Sequence, residues 1–133
     1  MADRPTEARH PHSAGIHSLP GDAALSHLLE AQLAALAMVR PAIPALDRAA
    51  TAAANSLRAG GKLAYAGAGS SGLMALADCL ELAGTFGIPP DRTPMMFAGG
   101  TDALLHMTGG VEDDPALAQA DVQRAGLGPG DTI

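Results

Sequence analysis

A glycine-rich turn between an apolar run and a helical pattern constrains the fold of this chain more than any other feature. The run Leu63–Ala66 has the length and composition of a buried parallel strand. The turn at 67–72 reads GAGSSG, and after it Leu73, Leu76 and Leu80 recur at the spacing of one helix face, which predicts a buried face. A strand, a glycine turn and a helix in this order form a cradle for an anion, usually a phosphate, at the helix N-terminus.

The remaining elements place this turn within an α/β fold. After a disordered tail at 1–20, the sequence predicts helices at 22–39 and 42–58, a strand at 62–66, a helix at 71–83, a strand at 93–98, and helices at 101–108 and 115–125. Helices that alternate with short apolar strands predict a parallel sheet. Residues 128–133 look like the lead-in to a third strand. Two strands cannot form a covered parallel sheet, so either the chain is a fragment or a partner supplies the missing strands. We favour the fragment and expect 21–133 to be the N-terminal part of a domain, truncated after its second strand.

The three glycines of the turn also fit a nucleotide-binding pattern. Gly67, Gly69 and Gly72 satisfy G-x-G-x-x-G, the fingerprint of dinucleotide-binding folds. That function requires an acidic residue at the end of the second strand, where it binds a ribose hydroxyl. The sequence there is FAGG at 97–100, which carries no carboxylate. Dinucleotide binding is therefore only a third interpretation of the turn.

Polar residues at the predicted helix starts have the types found at helix N-caps. Ser70 and Ser71 lie where a hydroxyl could donate a hydrogen bond to a phosphate or sugar oxygen. The alternative is that Ser71 only caps the helix. Asp22, Thr101 and Asp114 are predicted caps of three further helices, and a proline follows Asp114 in the first helical position.

Charge and composition argue against several classes of partner. The formal net charge is −6 and the isoelectric point is near 5.1, whereas nucleic-acid binding requires a basic surface. A small anionic ligand remains compatible, because helix dipoles act locally. His10, His12 and His17 lack a regular spacing and a nearby set of carboxylates, so no metal site is expected.

The single cysteine and the N-terminal region indicate a cytoplasmic protein. Cys79 rules out an internal disulfide and is expected to be a buried thiol. The first 20 residues lack the basic start and apolar core of a signal peptide. The apolar segment 25–39 is too short to span a bilayer, so no membrane partner is expected.

Several short motifs together resemble the N-acetylmuramic acid 6-phosphate etherase family. They are LRAGG at 57–61, GAGSSG at 67–72, Asp78, Glu81, TFG at 85–87, PP at 89–90, AGG at 98–100, Ala103-Leu104, and GVEDD at 110–114. The resemblance runs from about Val39 to the C-terminus. It implies a sugar isomerase (SIS) domain, which is a three-layer α/β/α parallel sheet that binds a phosphorylated amino sugar and works as a homodimer with its sites near the subunit interface. No cofactor is expected.

The resemblance also implies roles for individual residues. Gly67, Gly69, Ser70, Ser71 and Gly72 correspond to substrate-binding positions, and Glu81 and Glu112 correspond to the two functional acids. In the implied reaction, a base removes the C2 proton of the open-chain sugar, an acid protonates the departing D-lactyl ether oxygen, and water adds at C3. We assign Glu81 as the acid and Glu112 as the base. The alternatives are a solvated helix charge for Glu81 and a charge at a helix N-terminus for Glu112.

The alternative function is a protein that binds the phosphosugar but does not catalyse the reaction. The residues around Glu81 read DCLELAG at 78–84 and depart from the family pattern, and Leu73 replaces an arginine. A non-catalytic, phosphosugar-binding regulatory module would tolerate these changes. The second, Ser/Thr-rich phosphate loop of the SIS fold is not within the 133 residues, so we expect this chain by itself to be inactive.

Overall fold

Two short apolar segments in the middle of the chain form a parallel sheet. The structure is a computed structural model that describes residues 8–106 and 110–133. Strands β1 (Tyr65–Gly67) and β2 (Met95–Phe97) pair in parallel, with Tyr65 opposite Met95 and Gly67 opposite Phe97. The α/β class and the parallel sheet predicted from the sequence are confirmed.

Five α-helices accompany these strands in the described part of the chain. They are α1 (Gly21–Val39), α2 (Ile43–Arg58), α3 (Gly69–Phe86), α4 (Gly100–His106) and α5 (Pro115–Ala125). Short 3₁₀ turns occur at Pro11–Ser13, Ile16–Ser18, Arg40–Ala42 and Pro90–Arg92, so the described part of the predicted tail contains local structure. Residues 1–7 of that tail, and residues 107 and 108 of the helix predicted at 101–108, lie outside the described residues.

One of the three helix N-caps predicted from the sequence is observed in the structure. The side chain of Asp114 accepts hydrogen bonds from the backbone of Ala116 at 2.9 Å and Leu117 at 3.2 Å, so this predicted cap is confirmed. The caps predicted at Asp22 and Thr101 are wrong, because α1 and α4 each begin one residue before them. Asp22 lies instead in the first turn of α1, where a negative charge still interacts favourably with the helix dipole.

Helices α3 and α5 lie on opposite faces of the sheet. The hydroxyl of Tyr65 donates a hydrogen bond of 2.6 Å to Asp78 Oδ2 on α3. The next residue, Ala66, lines a cavity together with Leu117 and Val122 of α5. Because successive strand residues point to opposite faces, the sheet is sandwiched between helices, as in an α/β/α arrangement.

The buried face of α3 differs from the one that its leucines predict. The buried residues are Gly72 and Cys79, whereas Leu80 is 66% exposed and Leu73 is 40% exposed. Leu76 is half-buried, so the predicted face is right at that residue and wrong at Leu73 and Leu80. The small residues turn toward the sheet because they permit the closest approach between the helix and the strands.

The buried core of the described chain is small and has few large side chains. Its members are Ala64, Cys79, Met96, Phe97 and Ala103, with Thr93 as the buried polar residue. Cys79 is 6% exposed, as predicted for a buried thiol, and its Sγ donates to the Thr93 carbonyl oxygen at 3.1 Å. Burial raises the pKa of the Cys79 thiol, so the neutral form is favoured.

The C-terminal residues pair with the residues just before β1, on the side that faces away from β2. Leu63 forms a parallel bridge with Thr132, and the backbone N–H of Ala64 donates to Thr132 O at 2.7 Å. On the other edge, the N–H of Tyr65 donates to Pro94 O at 2.9 Å, just before β2. The predicted lead-in to a third strand therefore runs parallel to the start of β1, and the β1 segment lies between it and β2.

A polar network holds these strand starts together. The carboxylate of Asp131 accepts from the backbone N–H of Lys62 at 2.6 Å and of Gly128 at 2.8 Å. These backbone hydrogen bonds lower the pKa of Asp131. The ammonium group of Lys62 in turn donates to the carbonyl oxygen of Ala125 at 2.7 Å, at the end of α5. The network fixes the end of the sheet that lies opposite the glycine turn.

The chain divides into two compact units, Met1–Leu46 and Asp47–Ile133, and the sheet belongs to the second. In the first unit, five leucines of α1 recur at helical spacing and would form one apolar stripe, but they are 50% to 68% exposed. They are Leu25, Leu28, Leu29, Leu33 and Leu36.

One helical stretch, Gly21–Arg58, passes a test of length and composition for a membrane span. It contains 38 residues. Its most apolar 18-residue segment has a mean hydropathy of 1.2, and none of that segment is buried. Residues 25–39 alone are too short to span a bilayer. The helical stretch is longer because α2 follows α1 after a single 3₁₀ turn.

We expect Gly72→Ala to lower the free energy of unfolding by about 1–3 kcal/mol, because a Cβ overpacks the contact between α3 and the sheet. That Cβ would lie 2.6 Å from Phe97 Cε2. Gly84→Ala is the matched control, because a Cβ at Gly84 on the same helix meets nothing within 4 Å. The control should stabilise by up to about 1 kcal/mol through helix propensity. Urea unfolding followed by circular dichroism measures both, and equal effects would contradict the packing argument.

Candidate functional site

The site is built on a very short connection between β1 and α3. Ala68 alone separates the two elements, in an extended conformation with φ −127° and ψ 153°. Gly69 then starts the helix with φ +51°, a left-handed conformation that glycine adopts without strain. The first helical hydrogen bond runs from Gly72 N to Ala68 O at 2.8 Å. The N-terminus of α3 therefore opens at the carboxyl end of β1.

Gly67 and Gly72 allow the helix to lie directly on the strands. A Cβ built on Gly67 would lie 2.7 Å from Gly72 Cα, and one built on Gly72 would lie 2.6 Å from the ring of Phe97. Both distances are shorter than van der Waals contact. These two glycines have a packing role, and their predicted contact with substrate stays a prediction.

Ser70 and Ser71 lie in the first turn of α3, and both are exposed. The N-cap of the helix is Ala68, so the alternative that Ser71 is only an N-cap is wrong. Their hydroxyls stand beside the N–H groups of the first turn, which have no acceptor within the helix. This surface can donate hydrogen bonds to an anion.

The carboxylate of Glu112 lies against the first residue of α3. Its Oε1 atom is 2.8 Å from the position that a Cβ on Gly69 would occupy. The preceding residue, Val111, is held close to the end of β2, since its Cγ2 is 2.7 Å from the corresponding position on Gly99. The structure thus brings together Glu112 and the glycine turn, although they are far apart in sequence.

A cavity of about 320 Å³ opens beside this carboxylate. Its lining includes Gly67, Ala68, Ala98, Glu112 and Asp114, with apolar residues of α5. It lies between the sheet and α5 and reaches the carboxyl ends of the parallel strands, the edge at which open α/β sheets bind their ligands. A second cavity of about 410 Å³ lies beside β2, but no residue predicted for the site lines it. The smaller cavity is therefore the candidate site.

Curated proteins named N-acetylmuramic acid 6-phosphate etherase match most of this chain. The protein of Deinococcus radiodurans is 41% identical over 130 residues, which are 98% of this chain and 43% of that protein. The protein of Brucella anthropi is 33% identical over 128 residues, or 96% of this chain and 42% of its own length. The protein of Thermobifida fusca is 41% identical over 118 residues, or 88% and 38%. No protein-family model matches the chain.

The chain belongs to the N-acetylmuramic acid 6-phosphate etherase family. The family resemblance read from the sequence motifs is thereby confirmed. The chain spans less than half the length of these relatives.

The second acid predicted for an etherase, Glu81, lies far from the first. It is exposed on α3 and accepts a hydrogen bond from the hydroxyl of Thr85. It follows Gly69 by 12 residues (81 − 69), which is about 18 Å along the helix axis. Within one chain, the structure does not bring Glu81 to the cavity that Glu112 lines.

The pair of Tyr65 and Asp78 is a polar feature of this etherase-family chain that sequence reasoning missed. The two side chains share a hydrogen bond between β1 and α3. Burial, and then the hydrogen bond to the Asp78 carboxylate, raise the pKa of Tyr65 well above its ordinary value of 10.0. A tyrosine in a sequence with almost no aromatic residues could have drawn attention to this position. Its partner, 13 residues later, could not be identified from the sequence because the packing of α3 brings it there.

Potential metal ligands are scattered in the part of the chain that the structure describes. Within residues 8–106 and 110–133, no group of three or more His, Cys, Asp or Glu side chains could hold a metal ion. The rings of His10 and His12 lie edge to face, 5.2 Å apart. The absence of a metal or cofactor from the reaction stays a prediction.

We expect the phenol of Tyr65 to titrate well above pH 10 in the native protein. Below that pH the raised pKa contributes stability, and this contribution is lost as the pH rises toward the native pKa. Tyr65 is the single tyrosine and there is no tryptophan, so ultraviolet absorbance of the phenolate reports on it alone. Asp78→Asn should lower the pKa of Tyr65, while Asp91→Asn, in an exposed turn, should leave the pKa of Tyr65 unchanged. Native titration at the ordinary value would contradict the pairing.

Proposed function

We propose that this chain supplies the glycine-turn part of an N-acetylmuramic acid 6-phosphate etherase, which removes D-lactate from the 6-phosphosugar. The observation that carries the proposal is the Glu112 carboxylate at the N-terminus of α3, 2.8 Å from the Cβ position of Gly69. It joins an acid–base group to an anion-binding helix start at the edge of one cavity. The names of the relatives support the same reaction.

The phosphosugar would bind through its anionic group at the start of α3. The exposed hydroxyls of Ser70 and Ser71 and the N–H groups of the first turn are all donors, which suits a phosphate acceptor. The sugar ring would extend into the 320 Å³ cavity. The residues that complete the phosphate site would lie in a part of the protein outside this chain, since the chain covers 43% of the Deinococcus radiodurans relative.

Glu112 is suited by its position to act as the base. In the reaction, its carboxylate takes the C2 proton, and the C3–O bond breaks to leave a double bond between C2 and C3. An acid protonates the departing ether oxygen, which leaves as the hydroxyl of D-lactate. Water then adds across the double bond, with its oxygen at C3. Each carboxyl group must lie within hydrogen-bond reach of the atom it serves.

Glu81 meets that distance requirement only if it acts in the site of another chain. A separation of about 18 Å along α3 exceeds the reach of two side chains toward adjacent sugar carbons. We therefore place the acid, Glu81 of the partner subunit, across the interface of a homodimer. The exposed leucine stripe of α1, which includes Leu28 and Leu36, supports a dimer because such a stripe is costly to leave in water. The cytoplasmic location expected from the sequence is part of the same proposal.

The activity is tested in a chimera in which these 133 residues replace the aligned 43% of the Deinococcus radiodurans relative. We expect the chimera to release D-lactate from N-acetylmuramic acid 6-phosphate. Glu112→Gln should lower kcat by about 100-fold or more, because general base catalysis contributes that much. Asp91→Asn is the control for the loss of a carboxylate and should leave the rate unchanged.

Three outcomes separate this proposal from its alternatives. Binding of the phosphosugar in calorimetry without release of D-lactate would favour the non-catalytic regulatory module. Saturable binding of NAD(P) in a fluorescence titration would favour the dinucleotide interpretation. Release of D-lactate at the same rate by the wild-type and Glu112→Gln chimeras would show that the assigned base is wrong.

We expect two inactive variants to restore each other. If Glu81 and Glu112 act across a two-fold interface, a mixture of Glu81→Gln and Glu112→Gln chimeras forms heterodimers with one intact site. After subunit exchange, the mixture should recover roughly a quarter of the wild-type rate, since half the dimers are mixed. Mass spectrometry of differently tagged subunits verifies the exchange. Verified exchange without recovery would contradict a shared site.

A further inference from the structure

We propose that Gly69 is a positioning residue for Glu112, and that its missing side chain makes the space in which the carboxylate lies. This inference rests on the proposed function, because it assigns a role to Gly69 in the chemistry of the same site. It differs from the role expected of a glycine in an anion-binding turn, which is to let the ligand approach the backbone.

The contact at Gly69 differs from those of the other two glycines in the pattern. At Gly67 and Gly72, an added Cβ would meet backbone or the ring of Phe97. At Gly69 the atoms within 4 Å belong to the carboxyl group of Glu112, with Oε1 at 2.8 Å and Cδ at 3.8 Å. The three glycines of one motif therefore have different neighbours, and Gly69 alone faces the proposed base.

A side chain at Gly69 would displace that carboxylate. An oxygen 2.8 Å from a carbon is inside van der Waals contact, so Glu112 would have to move by several tenths of an ångström or rotate away. Misplacement of a reacting group by about 1 Å can cost roughly 100-fold in rate. The displaced base would still leave the phosphate-binding donors of the first turn in place. The loss should therefore appear in kcat more than in KM.

Backbone strain at Gly69 has to be separated from the contact with Glu112. Gly69 has φ +51°, and any other residue is strained there. Gly87, at the opposite end of the same helix, has φ +65° and nothing within 4 Å of its Cβ position. Gly87→Ala therefore reproduces the backbone strain on α3 without the contact, and it is the matched control.

The kinetic test uses the chimera described above. We expect Gly69→Ala to lower kcat by about 10- to 100-fold with little change in KM, and Gly87→Ala to leave both nearly unchanged. A shorter side chain at position 112 should relieve the contact with the added Cβ. Glu112→Asp should therefore cost less activity in the Gly69→Ala background than in the wild type. Equal kcat values for Gly69→Ala and Gly87→Ala, or a purely KM effect, would overturn the proposal.

A stability measurement tests the contact without using the reaction. In the 133-residue chain, Gly69→Ala should lower the Tm slightly more than Gly87→Ala does, because the atom that must move is the end of an exposed, flexible side chain. In a Glu112→Ala background this excess should disappear, because the carboxylate that the Cβ meets is gone. An excess that persists there would overturn the proposal. A chimera without etherase activity, combined with an excess that disappears, would reject the proposed reaction and retain the contact.

Discussion

The fold depends on how closely the first turn of α3 approaches the two strands. Gly67, Gly72 and the ring of Phe97 lie so near one another that an added Cβ would come within 2.7 Å of its neighbours. Only this close approach allows a single residue to connect β1 with the helix. It also fixes where the first N–H groups of α3 point, which is toward the carboxyl ends of the strands. The candidate site is thus a consequence of helix–strand packing.

The glycine turn and the two strand segments were predictable because each is recognised from a few neighbouring residues. A short apolar run followed by glycines leaves few arrangements of the backbone, and the structure adopts the expected one. The buried face of α3 was not predictable from its leucines. Gly72 and Cys79 contact the sheet instead of Leu73 and Leu80, because the distance between the layers selects the smaller side chains.

The position of Glu112 shows a different limit of sequence reasoning. The family resemblance indicated that the residue has a role, but no periodicity places it beside Gly69. Its location is set by the packing of Val111 against Gly99 and by the close contact at Gly69 itself. Conversely, the distance between Glu81 and Glu112 follows directly from helix geometry once that contact is known. The contact between Glu112 and Gly69 therefore implies that Glu81 and Glu112 of one chain cannot serve the same site.

The pairing of β1 on both edges also has a consequence for the order of folding. The β1 segment is synthesised before the residues that pair with it. On one side, Met95 follows Tyr65 by 30 residues (95 − 65), and on the other, Thr132 follows Leu63 by 69 residues (132 − 63). At about 5–20 residues per second, β1 leaves the ribosome seconds before its partners exist. Its brevity and its flanking alanines and glycines keep this unpaired segment from being a strongly apolar template. We therefore expect the unpaired segment to offer only a short strand edge to other chains during synthesis.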